Sequence, residues 1–259
     1  MFPEIAEFKG FVLHSWGVFV ALGFLVGFEL SVREARRNGL DVRLIRNLYA
    51  WSMVAAIVGS RGLFVFLYPD FFASHPFEVL RIWKGGMVFS GGLAAALAVG
   101  FIYMRRVRLN EWMVADIVAP GIALGDAIGR IGCLCAGCCY GKPTELPWAI
   151  VFDHPGSMAP QGIPLHPTQI YTSVTSFITF VVLWVFSKQK KWDAQVICLF
   201  LILHGAVRMV LESFRDDFRG EMFYGLMTTT RLVTLGLMAA GVLVWVRFRR
   251  RAQARDDLP

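Results

Sequence analysis

Residues 112–132 read WMVADIVAPGIALGDAIGRIG, an apolar stretch close to the ~20 residues that a helix needs to cross a bilayer's hydrocarbon core. Within it Asp126 and Arg130 stand four residues apart, which puts them on one helix face. Gly121, Gly125 and Gly129 form a small-residue row along which a neighbouring helix or a lipid can approach the backbone. An arginine at the centre of a span costs at least ~2.5 kcal/mol, so Arg130 calls for a partner or a polar cavity.

Outward from this stretch the apolar pattern recurs near residues 11–31, 47–67, 86–104, 170–187, 194–214 and 224–246. The 259-residue chain is 56% hydrophobic and only 17% charged, too little polar surface for a soluble domain of that length. The spacing predicts an all-α polytopic bundle of about seven membrane helices. It forms one integral-membrane domain over 1–246, followed by a basic tail over 247–259. Residues 1–10 hold Glu4, Glu7 and Lys9 and lack the basic n-region of a cleavable signal peptide, so the first span is expected to stay in the mature protein.

The net charge of +7 is not spread evenly. Five Arg fall in 33–46, three in 105–108 and five in 247–255, and three Lys fall in 188–191, together 16 of the 26 basic residues. These stretches follow the first, third, fifth and seventh spans. The positive-inside rule then gives the N-terminus outside and the C-terminus inside. The basic excess reflects topology and attraction to anionic lipid, and nucleic acid is excluded as a partner.

With that orientation His14, Arg61, Ser90, Arg130, Arg208, Glu212 and Arg231 all fall between mid-bilayer and the outer face. His204 is ~15 Å deep and Arg208 ~21 Å along the sixth span at 1.5 Å per residue. His204, Arg208 and Glu212 share a face at i, i+4, i+8, and Arg215 lies close beyond. Residues 85–92, GGMVFSGG, form a glycine-flanked helix entry whose N–H groups suit an anion. Several cations on one leaflet point to a buried anion site, and the commonest such anion in a membrane is a lipid phosphate. The expected fold therefore includes an outer-leaflet cavity open to lipid.

Cys133, Cys135, Cys138 and Cys139 make C-x-C-x-x-C-C at the outer end of the fourth span, with Cys198 apart. Three readings stand side by side: small soft packing, disulfides such as Cys133–Cys138, and metal binding with His154 or His166. Residues 140–168 carry prolines and glycines that break any helix and read as an outer arm.

The motifs, in their order, resemble the prolipoprotein diacylglyceryl transferase family over nearly the whole chain. His14 precedes Trp16-Gly17, and Arg81-Ile82-Trp83 precedes the Gly-Gly-Met stretch. Gly129-Arg130-Ile131-Gly132 leads to Tyr140-Gly141, in the region of the family signature. His166-Pro167-Thr168-Gln169-Ile170-Tyr171 and Arg208 with Glu212-Ser213-Phe214-Arg215 follow. The resemblance implies transfer of a diacylglyceryl group from phosphatidylglycerol to the lipobox cysteine thiol of a preprolipoprotein, with glycerol phosphate released. It implies a multi-pass protein of the bacterial plasma (inner) membrane whose active side faces outward, acting on exported signal peptides with no metal or other cofactor; the sequence leaves the oligomeric state open, with a monomer favoured. Arg130 and Arg208 are the expected phosphate ligands, with Glu212 orienting Arg208. His14, Arg61, Ser90, Gly91, Gly92, Gly129, Cys133, Gly141, His166, Gln169, Tyr171, Arg215 and Arg231 are the expected substrate contacts.

The chain departs from the family pattern at several of these positions. Ser90 stands where members usually have a His that is often assigned the base role. Cys133, Ala136, Gly137 and Cys138 stand in a stretch that usually carries two Asn and an acid. His204 replaces a Tyr, Thr172 an acid and Arg231 a Gln. His204, on the face of Arg208 and Glu212, is placed to supply the lost imidazole. An alternative reading is a non-catalytic lipid-binding, thiol-redox or metal-binding protein on the same scaffold. A small transporter fits less well, because the polar groups gather on one side instead of lining a full path.

Overall fold

The computed structural model describes residues 2–8, 11–82, 85–216, 222–223 and 227–256. Trp83 and most of the acidic connector 215–221 fall outside them. The chain divides into two compact units, one of residues 1–31 and 115–259 and one of residues 32–114, and each is described by itself.

Among the described residues, eight α-helices carry the fold, with three two-stranded sheets in the connections. They are α1 (Ser15–Arg37), α2 (Val42–Leu67), α3 (Pro69–Ser74), α4 (Phe89–Arg106), α5 (Glu111–Ala136), α6 (Thr168–Ser187), α7 (Gln195–Glu212) and α8 (Thr229–Asp256). The strands are β1 (Glu4–Phe8) with β2 (Phe11–His14), β3 (Ile150–Val151) with β4 (Pro164–Leu165), and β5 (Met222–Phe223) with β6 (Met227–Thr228). Six helices (α1, α2, α5, α6, α7 and α8) are long and apolar enough to span a membrane. The seventh expected span is α4, shorter than foreseen. Gly85 and Gly86 have φ of 85° and 73°, so the helix begins only at Phe89, and its last turn is Arg105-Arg106. At the other end, α8 continues to Asp256, well into the expected tail, through Arg, Ala and Gln residues that favour or tolerate helix.

In the unit 32–114, α4 lies against α2. A Cβ on Gly91 would meet the Gly59 carbonyl oxygen at 2.5 Å, and one on Gly92 the Ala56 oxygen at 2.9 Å. Both glycine N–H groups donate to the Val88 carbonyl, at 3.1 and 3.3 Å. Close helix packing thus requires glycine at 91 and 92, and Ser90, among α4's first residues, is exposed. Arg61, only 8% exposed, donates to the carbonyls of Glu78, Val79 (3.0 Å), Gly85 (2.8 Å) and Gly86 (2.9 Å). The rings of Phe64 and Phe72 flank its guanidinium. Its observed role is to clamp the connector between α2 and α4.

In the other unit, Gly23 and Gly27 of α1 face Gly125 and Gly121 of α5, where an added Cβ would come within 2.7 Å of a carbonyl oxygen. The small-residue row therefore does draw a helix against α5, since only small residues let two helix backbones approach so closely. Gly129 has open space beside it and takes no part. Asp116, near the start of α5, is buried. It accepts from the N–H groups of Ala194 (3.0 Å) and Ile197 (2.9 Å) and pairs with Lys190 (3.2 Å), capping the start of α7. Around the helices Val58, Leu97, Val210 and Leu243 are each more than 60% exposed, apolar surface that only hydrocarbon would cover without cost.

Candidate active site

The unit 1–31 and 115–259 contains the site. On α5, Arg130 donates through Nε to Asp126 Oδ1 at 3.1 Å. Ser176 Oγ of α6 donates to the other carboxylate oxygen at 2.6 Å. Asp126 thus receives a bond on each oxygen and holds the guanidinium by its inner nitrogen. Arg130 Nη1 lies 3.8 Å from Cys139 Sγ. On α7, Arg208 and Glu212 pair at 3.2 Å with side chains 11% and 6% exposed. One turn earlier His204 stacks on Phe200, with ring centroids 5.3 Å apart.

Beyond the end of α5 the chain turns back on itself through Gly137 (φ 72°) and Cys139 (φ 62°). Thr168 Oγ1 donates to the Cys139 carbonyl at 2.7 Å and Gln169 Nε2 to that of Cys138 at 2.8 Å, tying the turn to the start of α6. The sulfurs of Cys133, Cys138 and Cys139 lie within 4.8 Å of one another. Hydrogen bonds from the Cys133 and Cys138 thiols, helped by the Arg215 guanidinium, hold the Cys139 thiol well below the usual range. The same sharing pushes Cys138 up.

The arm 140–168 is pinned over this region. Gly141 N–H donates to the His166 carbonyl (3.2 Å), His166 N–H to that of Lys142 (3.0 Å), and Lys142 N–H to that of Phe214 (2.8 Å). Gly141 also bridges to Arg215. Only glycine fits there, since a Cβ would sit 2.6 Å from His166 Cβ and 2.7 Å from its carbonyl oxygen. The rings of His166, Tyr171 and Phe214 meet edge to face, and Trp148 Nε1 donates to the Tyr171 hydroxyl at 2.8 Å. Phe152, Ala159 and Leu165 give the arm a small core of its own.

A cleft of about 130 Å³ opens between α5 and α6. Arg130, Gln169 and Ser173 border it but contribute almost none of its exposed surface, and Ile131, Ile170 and Val174 form an apolar mouth. Those three apolar side chains are among the exposed ones, so the mouth faces the surface that hydrocarbon would cover. Gln169 Oε1 is buried and has no hydrogen-bond partner among the described residues. An unsatisfied buried acceptor costs about 1–3 kcal/mol, which a ligand hydroxyl would recover.

Comparison with known sequences places this arrangement. Residues 3–247 match the family described as prolipoprotein diacylglyceryl transferase. The chain belongs to that family. Phosphatidylglycerol–prolipoprotein diacylglyceryl transferases of similar sequence occur in Finegoldia magna (30% identical, over 93% of this chain and 94% of the relative) and Clostridium tetani (31%, 97% and 100%). A third, from Paracidovorax citrulli, is 35% identical over 97% of this chain and 98% of its own length.

Within this diacylglyceryl transferase chain, the expected residues fall into distinct environments. Arg130, Gln169 and Cys133 adjoin the cleft or the cysteine turn, while Gly141, His166, Tyr171 and Arg215 make the seam under the arm. His14 is exposed at the end of β2, and Arg231 Nη2 is 3.5 Å from Ser213 Oγ at the end of α7. Arg61, Ser90, Gly91 and Gly92 belong to the unit 32–114. Sequence reasoning left Asp126, Ser176, Cys138 and Cys139 out of the expected contacts. The i, i+4 spacing signalled Asp126; nothing in the pattern of α6 signalled Ser176.

Proposed function

We propose that this family member transfers the diacylglyceryl group of phosphatidylglycerol to the thiol of a lipobox cysteine in a preprolipoprotein. The observation that carries the reading is Arg130, held by Asp126 at the border of a cleft whose mouth is apolar, with Gln169 and its buried, unpartnered Oε1 beside it. A phospholipid matches that combination: acyl chains at the mouth, phosphate at the guanidinium, and a head-group hydroxyl able to donate to Gln169. In the reaction the thiolate sulfur attacks the glyceryl carbon, and the C–O bond to phosphate breaks. Its electron pair leaves with glycerol phosphate. Arg130 and Arg208 bind the phosphate as its charge grows, Arginine suiting the task through its planar fork, and Glu212 orients Arg208. His204 receives the thiol proton. His14, Gly129, Cys133, Gly141, His166, Gln169, Tyr171, Arg215 and Arg231 contact lipid or peptide. The basic stretches after alternate spans support an N-out, C-in topology in a bacterial plasma membrane, with chemistry at the outer leaflet. A single chain carries every group invoked.

The test is reconstitution of the purified protein with phosphatidylglycerol and a lipobox peptide, following release of glycerol phosphate. Release that requires both the peptide thiol and Arg130, judged with Arg130→Ala, is expected. Wild-type protein that binds lipid and peptide yet releases nothing would overturn the proposal.

A further inference from the structure

From the sulfur geometry we propose a thiophilic metal site, formed by Cys133, Cys138 and Cys139, in which a bound Zn2+ takes the acceptor cysteine as its fourth ligand. The inference rests on the transfer reaction proposed above and names how its nucleophile is presented. It sets aside the sequence-based expectation that no metal takes part.

Four observations lead to it. The three sulfurs lie within 4.8 Å of one another, and tetrahedral Zn2+ with Zn–S bonds of about 2.3 Å needs sulfurs about 3.8 Å apart. Small rotamer shifts close that difference. Second, the backbone is bent to bring them there: Cys139 adopts φ 62°, a conformation unfavourable for a side chain with a Cβ. The turn is fastened by Thr168 and Gln169 on the adjoining carbonyls. Third, the donor set is all soft thiolate, which selects Zn2+ or Cu+ over Mg2+ or Ca2+. Three thiolates and Zn2+ carry one net negative charge, and the guanidiniums of Arg130 and Arg215 adjoin Cys139 to balance it. Fourth, the group ends at three. Cys135 does not join it, and neither His154 nor His166 does, so the donor set has the three-ligand form of catalytic zinc sites with one open position.

The site adjoins the lipid cleft. Arg130 reaches Cys139 and lines the cleft, and Gln169 binds the Cys138 carbonyl and lines the same cleft. A thiol bound at the open position loses its proton to His204 and becomes a metal thiolate beside the donor phosphate. Its sulfur then forms the C–S bond as the C–O bond breaks, and the electron pair departs with glycerol phosphate. The neutral thioether is a poor ligand and gives way to water. No oxidant or reductant is required.

The experiment loads purified full-length protein with Zn2+, removes excess metal, and measures metal content and zinc K-edge X-ray absorption with and without a lipobox peptide. About one Zn2+ per chain, bound by three sulfurs and one light atom, is expected. Addition of the cysteine peptide should raise the sulfur count to four, and the same peptide with serine should not. Cys133→Ser, Cys138→Ser and Cys139→Ser should each lose the metal, whereas Cys135→Ser should retain it. A wild-type chain that holds no zinc, or a sulfur count that ignores the peptide, overturns the proposal without appeal to any variant's folding. Full glycerol phosphate release by metal-free protein overturns the metal site and leaves the transferase reading intact. A three-to-four sulfur change without any release upholds the site and overturns the transferase reading.

Discussion

Replacing Asp126 with Asn tests whether the carboxylate aims Arg130 at a substrate or merely locks helices together. Asp126 accepts from Arg130 Nε at 3.1 Å and from Ser176 Oγ at 2.6 Å. Asn offers one carbonyl oxygen for two donors and turns an amide N–H2 toward the other, so one bond and the ionic attraction are lost. Bonds to charged groups contribute about 1.5–3 kcal/mol net. Arg130 and Asp126 are 21% and 25% exposed, and solvent screening takes the value to the lower end, about 1.5–2 kcal/mol. At 1.4 kcal/mol per factor of ten, the expected loss in kcat/KM for phosphatidylglycerol is about 10–30-fold. Ser176→Ala removes only the supporting bond and should cost about fivefold, near 1 kcal/mol. The assay is glycerol phosphate release against lipid concentration in mixed micelles, with thermal unfolding measured in parallel. A lowered melting temperature with kcat/KM within twofold of wild type would mean that the pair is structural, and the positioning argument would be wrong.

Three further outcomes are expected. His204→Gln should lower turnover by about 10²–10⁴-fold while phosphatidylglycerol binding persists, and unchanged turnover would remove His204 from proton transfer. Gly141→Ala forces a Cβ to 2.6 Å from His166 Cβ, so it should destabilise the chain by about 1–3 kcal/mol and speed proteolysis within the arm; an unaltered melting curve would show that the seam yields freely. Asp116→Ala strips the acceptor from two α7 N–H groups and leaves Lys190 without it, a loss of about 2–4 kcal/mol in stability that should appear in thermal unfolding with little change in KM.

Most of the fold could be read from apolar periodicity, because a membrane helix satisfies its backbone internally and announces itself by length. The misreadings share a cause. Residues 86–88 were taken into a span, yet Gly85 and Gly86 adopt left-handed conformations and delay α4 to Phe89, a backbone choice that hydropathy does not register. The partners that bury Asp116 arrive from 74 to 81 residues away, a separation that local pattern does not register. Arg61 illustrates the same limit: its acceptors are main-chain carbonyls, which carry no signature in the side-chain sequence. Pairs on a single helix, Asp126 with Arg130 and Arg208 with Glu212, were legible from spacing and are ion pairs in the fold.

Gly141, His166, Tyr171, Phe214 and Arg215 make the seam beneath the arm, and two arginine–carboxylate pairs stand on α5 and α7. What differs is the turn after Gly132, where the resemblance leads one to expect amide and carboxylate groups and this chain supplies sulfurs. Amides and carboxylates act there as hydrogen-bonding groups; thiols do so poorly, being weak donors and acceptors. If the sulfurs were only small packing groups, the turn would not need to hold Cys139 at φ 62° when glycine would sit there without strain. The side chain at that position is therefore required for something that glycine lacks, and the Cys139 sulfur is what lies against Cys133, Cys138 and Arg130. The resemblance implies an imidazole where this chain has Ser90, and a three-sulfur group beside Arg130 fits the proposed metal activation of the acceptor thiol.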